Sequence, residues 1–105
     1  MGKKEMQLSG AKDVDTLVGR ETTVKGKIDA TGMIRIDGKF DGEINTTGDL
    51  IVGESGQITG TIKAYNIVVA GAVEGTVEAQ GRLELVPTAK LVGDVKISVL
   101  VVEDG

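Results

Sequence analysis

Large aliphatic side chains return along this chain at a nearly constant interval that is far longer than any helix or strand period. Ile34, Leu50, Ile67, Leu83 and Leu100 are separated by steps of 16, 17, 16 and 17 residues, and Ile36, Val52, Val69, Leu85 and Val102 follow two positions behind with the same steps. Two looser series accompany them: Ile28, Ile44, Ile62, Val77 and Val95, then Phe40, Ile58, Val73 and Leu91. Four apolar columns kept in phase mark a structural repeat. Inside each repeat the alternation is that of a strand. In Ile34-Arg35-Ile36 or Leu83-Glu84-Leu85 the outer members share one face and the middle member takes the other.

Glycine punctuates the repeat. Gly32, Gly48 and Gly81 stand before three of these strands, where a positive φ or a tight corner would need a residue without Cβ. Gly26, Gly42, Gly60, Gly75 and Gly93 form a second series, two residues ahead of the Ile28 column. One-residue changes of spacing fall between columns, where corners absorb them. A helix is excluded because glycine interrupts nearly every window of helical spacing and β-branched residues dominate the rest. A meander or sandwich has no reason to hold four positions to one long period. A β-solenoid does: coiled turns that pair through parallel, in-register strands about 4.8 Å apart convert the columns into ladders of like contacts. The prediction is an all-β solenoid of five to six turns, 16 to 17 residues each, over residues 17–105. Residues 1–16 show no period and are read as a flexible tail.

Outward positions give two polar columns, Asp29, Asn45, Lys63, Glu78 and Lys96, and Lys27, Glu43, Thr61, Thr76 and Asp94. Alternating charge at Lys63, Glu78 and Lys96 is expected to pair across turns and to add a few tenths of a kcal/mol each. The third outward column, Arg35, Ile51, Val68, Glu84 and Val101, carries apolar members. The leading expectation is that the segment around Leu17 and Val18 folds back over them; contact with another molecule, or plain exposure, are the alternatives.

Composition narrows the chemistry. The 105 residues suit one domain, with Phe40 and Tyr65 as the only aromatics. The absence of Cys and His removes disulfides, thiolate chemistry and the usual transition-metal ligands. A net charge of −4 with scattered basic residues argues against nucleic acid. No run approaches the roughly 18 apolar residues of a membrane-spanning helix and no signal-peptide core is present, so a cytoplasmic protein is the default reading. Met6 stands where a myristoylation signal would need Ser or Thr. Ser9, Ser55 and Ser98 lie in the tail or in corners without a base. No GxxxxGKS/T or GxGxxG string occurs, so neither nucleotide nor other cofactor is expected, and the chain is not read as an enzyme. Hexapeptide-repeat acyltransferases use a six-residue unit and typically a catalytic His. An ice-binding solenoid would need a longer stack of threonines than Thr61 and Thr76. In the tail, Met1, Lys3, Lys4, Met6 and Leu8 are candidate contacts for an anionic membrane or a partner.

Several stretches carry a family likeness. Thr16-Leu17-Val18-Gly19, Gly26-Lys27-Ile28, the run IDGKFDGEI at 36–44, DLIVGESG at 49–56, Gly60-Thr61-Ile62 and GRLELVPTAKLVGD at 81–94 together resemble a bactofilin, the bacterial polymer-forming cytoskeletal family. The resemblance covers roughly residues 16–105. It implies a right-handed, single-stranded β-helix of triangular section. It further implies end-to-end polymerisation without nucleotide into filaments that lack polarity, often attached to the inner membrane through a short N-terminal tail. Members usually carry a further turn after the stretch matching 99–105, which this sequence does not show, and the tail here has mixed charge and few large apolar residues.

A solenoid has two open ends, each with unpaired backbone groups and an apolar cross-section. The expected polymer contacts are Val99, Leu100, Val101 and Val102 in the C-terminal turn, and Val24 and Ile28 in the N-terminal turn. The chain itself is thus the first expected partner and inner-membrane lipid the second, at the cytoplasmic face of the cell membrane. The alternative is a β-solenoid binding module or membrane adaptor that does not polymerise.

Overall fold

The structure, a computed structural model, describes residues 16–103. Every regular element among them is a strand: β1 (Thr16–Val18), β2 (Thr23–Ala30), β3 (Ile34–Ile36), β4 (Lys39–Thr46), β5 (Asp49–Val52), β6 (Gln57–Val69), β7 (Ala72–Leu85) and β8 (Lys90–Val102). All pairings are parallel and each joins one turn to the next: β1 to β3, β3 to β5, β2 to β4, β4 and β5 to β6, β6 to β7, and β7 to β8. The chain is therefore a parallel β-solenoid, and every column read from the spacing is a ladder. Leu50 lies over Ile34, and Ile67, Leu83 and Leu100 continue upward. β1 adds a rung beneath, with Thr16 under Ile34 and Val18 under Ile36. Uneven turn lengths are taken up at the same corner of successive turns: between β6 and β7 the offset changes from 15 to 16 residues where Tyr65 faces Gln80 and Gly81, and between β7 and β8 it changes from 18 to 17 where Gln80 and Gly81 face Ser98.

The core is one aliphatic stack. Ile34, Ile36, Ile44, Leu50, Val52, Ile62, Ile67, Val69, Val77 and Leu83 are fully buried, and Phe40 is the one aromatic inside. A fifth inward column, absent from the sequence reading, consists of Ala30, Thr46, Ala64, Ala79 and Ile97. Its polar member is satisfied: Thr46 Oγ1 donates to the Gly32 carbonyl at 2.7 Å and accepts from the Gly48 amide at 3.0 Å. Hydroxyls at other corners also reach the turn below, Ser55 to the Asp37 carbonyl at 2.7 Å, Thr88 to Ala70 at 2.7 Å and Ser98 to Gln80 at 3.0 Å. These side chains satisfy backbone acceptors where the ladder is interrupted.

The two glycine series differ in purpose. Positive φ belongs to Gly26, Gly42, Gly60, Gly75 and Gly93, at 130° to 144°, and not to Gly32, Gly48 or Gly81. Gly48 and Gly81 instead permit close approach. A Cβ at Gly48 would lie 2.9 Å from the Gly32 carbonyl group, and one at Gly81 would lie 2.5 Å from Asn66 Oδ1.

Two expectations about the outward faces are corrected. Lys63, Glu78 and Lys96 do stack in register, yet no salt bridge links them among the described residues. The ion pairs found join residues two apart in sequence, Lys27 to Asp29 along β2 at 3.7 Å and Arg35 of β3 to Asp37 just past its end at 2.9 Å. Side chains two apart on one strand share a face, and long flexible ones reach each other as readily as they reach the next rung. Leu17 and Val18 do not fold over the third outward column. Val18 is buried under Ile36, and Leu17 pairs with Arg35 as a further member of that column, 60% exposed.

The glycine ladder supplies a stability test. A Cβ at Gly60 would overlap the Gly42 carbonyl oxygen at 1.9 Å, whereas one at Gly26 meets nothing within 4 Å. Gly26→Ala is expected to cost only its φ strain, about 1–3 kcal/mol. Gly60→Ala adds an overlap costing a further 1–3 kcal/mol or so. Urea denaturation of the two variants should place Gly60→Ala clearly below Gly26→Ala.

Candidate assembly surfaces

The interior rungs are sandwiched and the terminal rungs are not. In the Ile34 ladder exposure is 0% at Ile34, Leu50, Ile67 and Leu83 and rises to 52% at Leu100. Val69 is fully buried and Val102, two rungs above, is 59% exposed; Val77 is fully buried and Val95, directly above, is 36% exposed. Identical column positions thus change from core to surface for want of one neighbouring turn. Among the described residues nothing lies over the second half of β8.

The structure divides the four residues expected at the C-terminal contact. Leu100 and Val102 continue the inward ladders of Leu83 and Leu85, so their exposed parts form the open cross-section. Val99 and Val101 continue the outward ladders of Arg82 and Glu84 and belong to the flank. Val95 joins the end face, and the signal for it was present, since it is the last member of the Ile28 column. At the other end Val24 and Ile28 lie in the first turn, below Phe40 and Ile44, and both are half-buried. Val18, at 4% exposure, closes part of that end. Among the described residues the C-terminal face therefore exposes more large aliphatic side chains than the N-terminal one. Met1, Lys3, Lys4, Met6 and Leu8 lie outside the described residues.

On the flank, register places Leu17, Arg35, Ile51, Val68, Glu84 and Val101 in one ladder parallel to the solenoid axis. An open concavity of about 600 Å³ runs beside it, lined in part by Arg20, Arg35, Asp37, Ile51, Glu54 and Val68. Arg35 Nε donates to Asp37 Oδ2 at 2.9 Å, and the Asp37 carboxylate occupies the space that a Cβ on Gly53 would need. Ser55, at the same corner, spends its hydroxyl on the Asp37 carbonyl, so the groove pairs no nucleophile with a base. Higher on this face Glu103 has its carboxyl pushed above the ordinary value, first by a hydrogen bond with Glu84, then by desolvation and by the Glu84 charge. No helix among the described residues is long and apolar enough to cross a membrane.

This geometry matches known proteins. A family model described as bactofilin, polymer-forming cytoskeletal, matches residues 16–105. Bactofilin BacP of Myxococcus xanthus is 29% identical over 100 residues, a match covering 94% of this chain and 42% of BacP. Bactofilin BacO of the same organism is 30% identical over 91 residues, covering 87% of this chain and 72% of BacO. The chain thus spans less than half the length of the first of these relatives. A crystal structure of a Thermus thermophilus bactofilin mutant superposes with a TM-score of 0.79 at 32% identity, covering 84% of this chain and 98% of that one. A cryo-EM reconstruction of Thermus thermophilus bactofilin double helical filaments gives 0.65 at 26% identity, covering 79% and 99%.

The carboxyl pair at the C-terminal rung makes that rung sensitive to pH. Because the folded-state pKa of Glu103 is raised, its contribution favours the paired rung at pH below the ordinary carboxylate value and is lost as pH rises through the raised one. Amide protection factors for Val99–Val102 are expected to fall over that window, and Glu103→Gln should flatten the change. Equal pH dependence in the variant would assign the effect to another group.

Proposed function

The chain belongs to the bactofilins, a family of polymer-forming cytoskeletal proteins, and we propose that it assembles end to end through its terminal turns into filaments without nucleotide. One observation carries this reading: the exposure of Leu100 and Val102 where Ile34, Leu50, Ile67 and Leu83, the aliphatic rungs below Leu100, are fully buried. A turn from another copy laid on that face would complete the apolar stack and pair the outer edge of β8, which is strand addition applied to a solenoid. Burying the exposed halves of Leu100, Val102 and Val95 contributes on the order of 1 kcal/mol each. Association costs at least about 4 kcal/mol, so the continuing backbone ladder has to supply the rest. Neither contribution draws on a bound nucleotide. Assembly of this kind is a structural role, and the family is not one of enzymes.

Leu100→Arg puts a charge into the open cross-section. Negative-stain microscopy is expected to show filaments for the unaltered protein and short or no filaments for the variant, with the circular dichroism of both alike. Unchanged filaments in Leu100→Arg would remove the C-terminal face from the contact.

The reading extends to the membrane. Met1, Lys3, Lys4, Met6 and Leu8 would anchor the polymer at the cytoplasmic face of the inner membrane. Each lysine near an anionic surface adds on the order of 1 kcal/mol, so one tail binds weakly and a filament of many tails binds well. In flotation with anionic liposomes, filaments are expected to rise with the lipid, and removal of residues 1–15 should leave them at the bottom. Flotation that survives the deletion would place lipid binding on the solenoid.

A further inference from the structure

The flank ladder reads, from the N-terminal rung upward, Leu17, Arg35, Ile51, Val68, Glu84 and Val101. Its chemistry is apolar, cationic, apolar, apolar, anionic, apolar. Turned end for end about the point midway between Ile51 and Val68, the series falls on its own complement. Leu17 meets Val101, Ile51 meets Val68, and Arg35 meets Glu84 at both ends of the apolar centre. We propose that this ladder is a docking surface for a second copy of the same chain, laid side by side and running in the opposite direction.

The alternatives fit worse. Side by side in the same direction, Arg35 faces Arg35 and Glu84 faces Glu84, two like-charge contacts instead of two ion pairs. A parallel arrangement shifted by three rungs makes one ion pair and halves the overlap. The antiparallel arrangement is isologous, so a single ladder serves both copies.

The charges are available for it. Arg35 uses Nε on Asp37, which leaves further donors of its guanidinium fork for a carboxylate of the neighbouring copy. Glu84 stands beside Glu103 and raises its pKa, and no salt bridge to Glu84 is found among the described residues. The Arg35 of the second copy would supply the missing cation. The apolar members are the outward residues of their strands and lie outside the core cluster; Leu17 is 60% exposed, and Ile51, Val68 and Val101 are half-buried.

The strip is narrow and roughly 24 Å tall, five rung spacings of about 4.8 Å. That is well short of the roughly 800 Å² per partner typical of a stable interface. One pair of copies therefore binds weakly, and the contact gains strength when it recurs along two strands already formed end to end, so it rests in that sense on the proposed polymerisation.

The test uses the full chain, Arg35→Glu, Glu84→Arg and the double variant, each checked for native circular dichroism. In negative stain the unaltered protein is expected as paired strands. Each single reversal sets like charges at both ends of the strip and should give mostly single strands, with filament formation intact. The double variant restores opposite charges between copies and should restore pairing. Within one copy the two positions are three rungs apart, too far for the rescue to be internal. Because the chain has no Cys, Val68→Cys with a short bis-maleimide reports lateral proximity directly, far from either end. Its dimer yield should drop about tenfold in the Arg35→Glu background. Paired strands after single reversal, a double variant that stays single, or no Val68→Cys dimer at polymerising concentration would each overturn the proposal. Absence of filaments altogether counts against end-to-end assembly, and the cross-link then decides lateral pairing alone.

Discussion

Every buried side chain in this molecule is covered by the equivalent side chain of the next turn, and the rest of the structure depends on that stacking. Parallel, in-register ladders fix the rise between turns, and the rise sets what each position tolerates. A carbonyl oxygen of one glycine occupies the place where the next would carry Cβ, so the corner repeats as Gly26, Gly42, Gly60, Gly75 and Gly93. Aliphatic columns meet the same demand from inside, since ladders of β-branched and leucine side chains fill a narrow axis with Phe40 as the one aromatic among them. Ser and Thr at corners then satisfy the carbonyls that the ladder leaves open.

The same interaction that folds the chain is the one its ends offer. Leu83 and Leu100 have one design, and a single missing neighbour separates a buried residue from a half-exposed one. Under the end-to-end assembly proposed above, folding and assembly would draw on the same interaction. The first turn adds rungs to the solenoid as a second copy would add them to the last. Only the entropy of bringing in a separate molecule distinguishes the two, and it makes assembly dependent on concentration while folding is not.

Ends and flank differ in how much they specify. The cross-section is apolar and continuous with the core, so its energy comes from burial and from backbone pairing, neither of which discriminates strongly between orientations. The flank ladder carries little area but two charges placed symmetrically about an apolar centre. Such a surface contributes less to affinity than to direction and register. A polymer needs both, strength along the axis and selectivity across it.

The ladders were legible in the sequence because a solenoid writes its contacts at a fixed spacing. Residues stacked on adjacent turns lie 15 to 18 apart, so Ile34, Leu50, Ile67, Leu83 and Leu100 could be aligned with no knowledge of the fold. The column of Ala30, Thr46, Ala64, Ala79 and Ile97 escaped because small residues are too common to show a period. Leu17 was misplaced although Thr16-Leu17-Val18 stands 18 residues before Ile34-Arg35-Ile36, a step also found between Ile44 and Ile62. The pairing of Lys27 with Asp29 and Arg35 with Asp37 was unreadable, because long side chains choose among neighbours by rotamer and not by spacing. By itself the sequence determined the turns, the columns and which residues face inward, since periodicity and alternation are one-dimensional properties. Only the tertiary structure decided which members of each column are covered, because burial depends on having a turn on both sides.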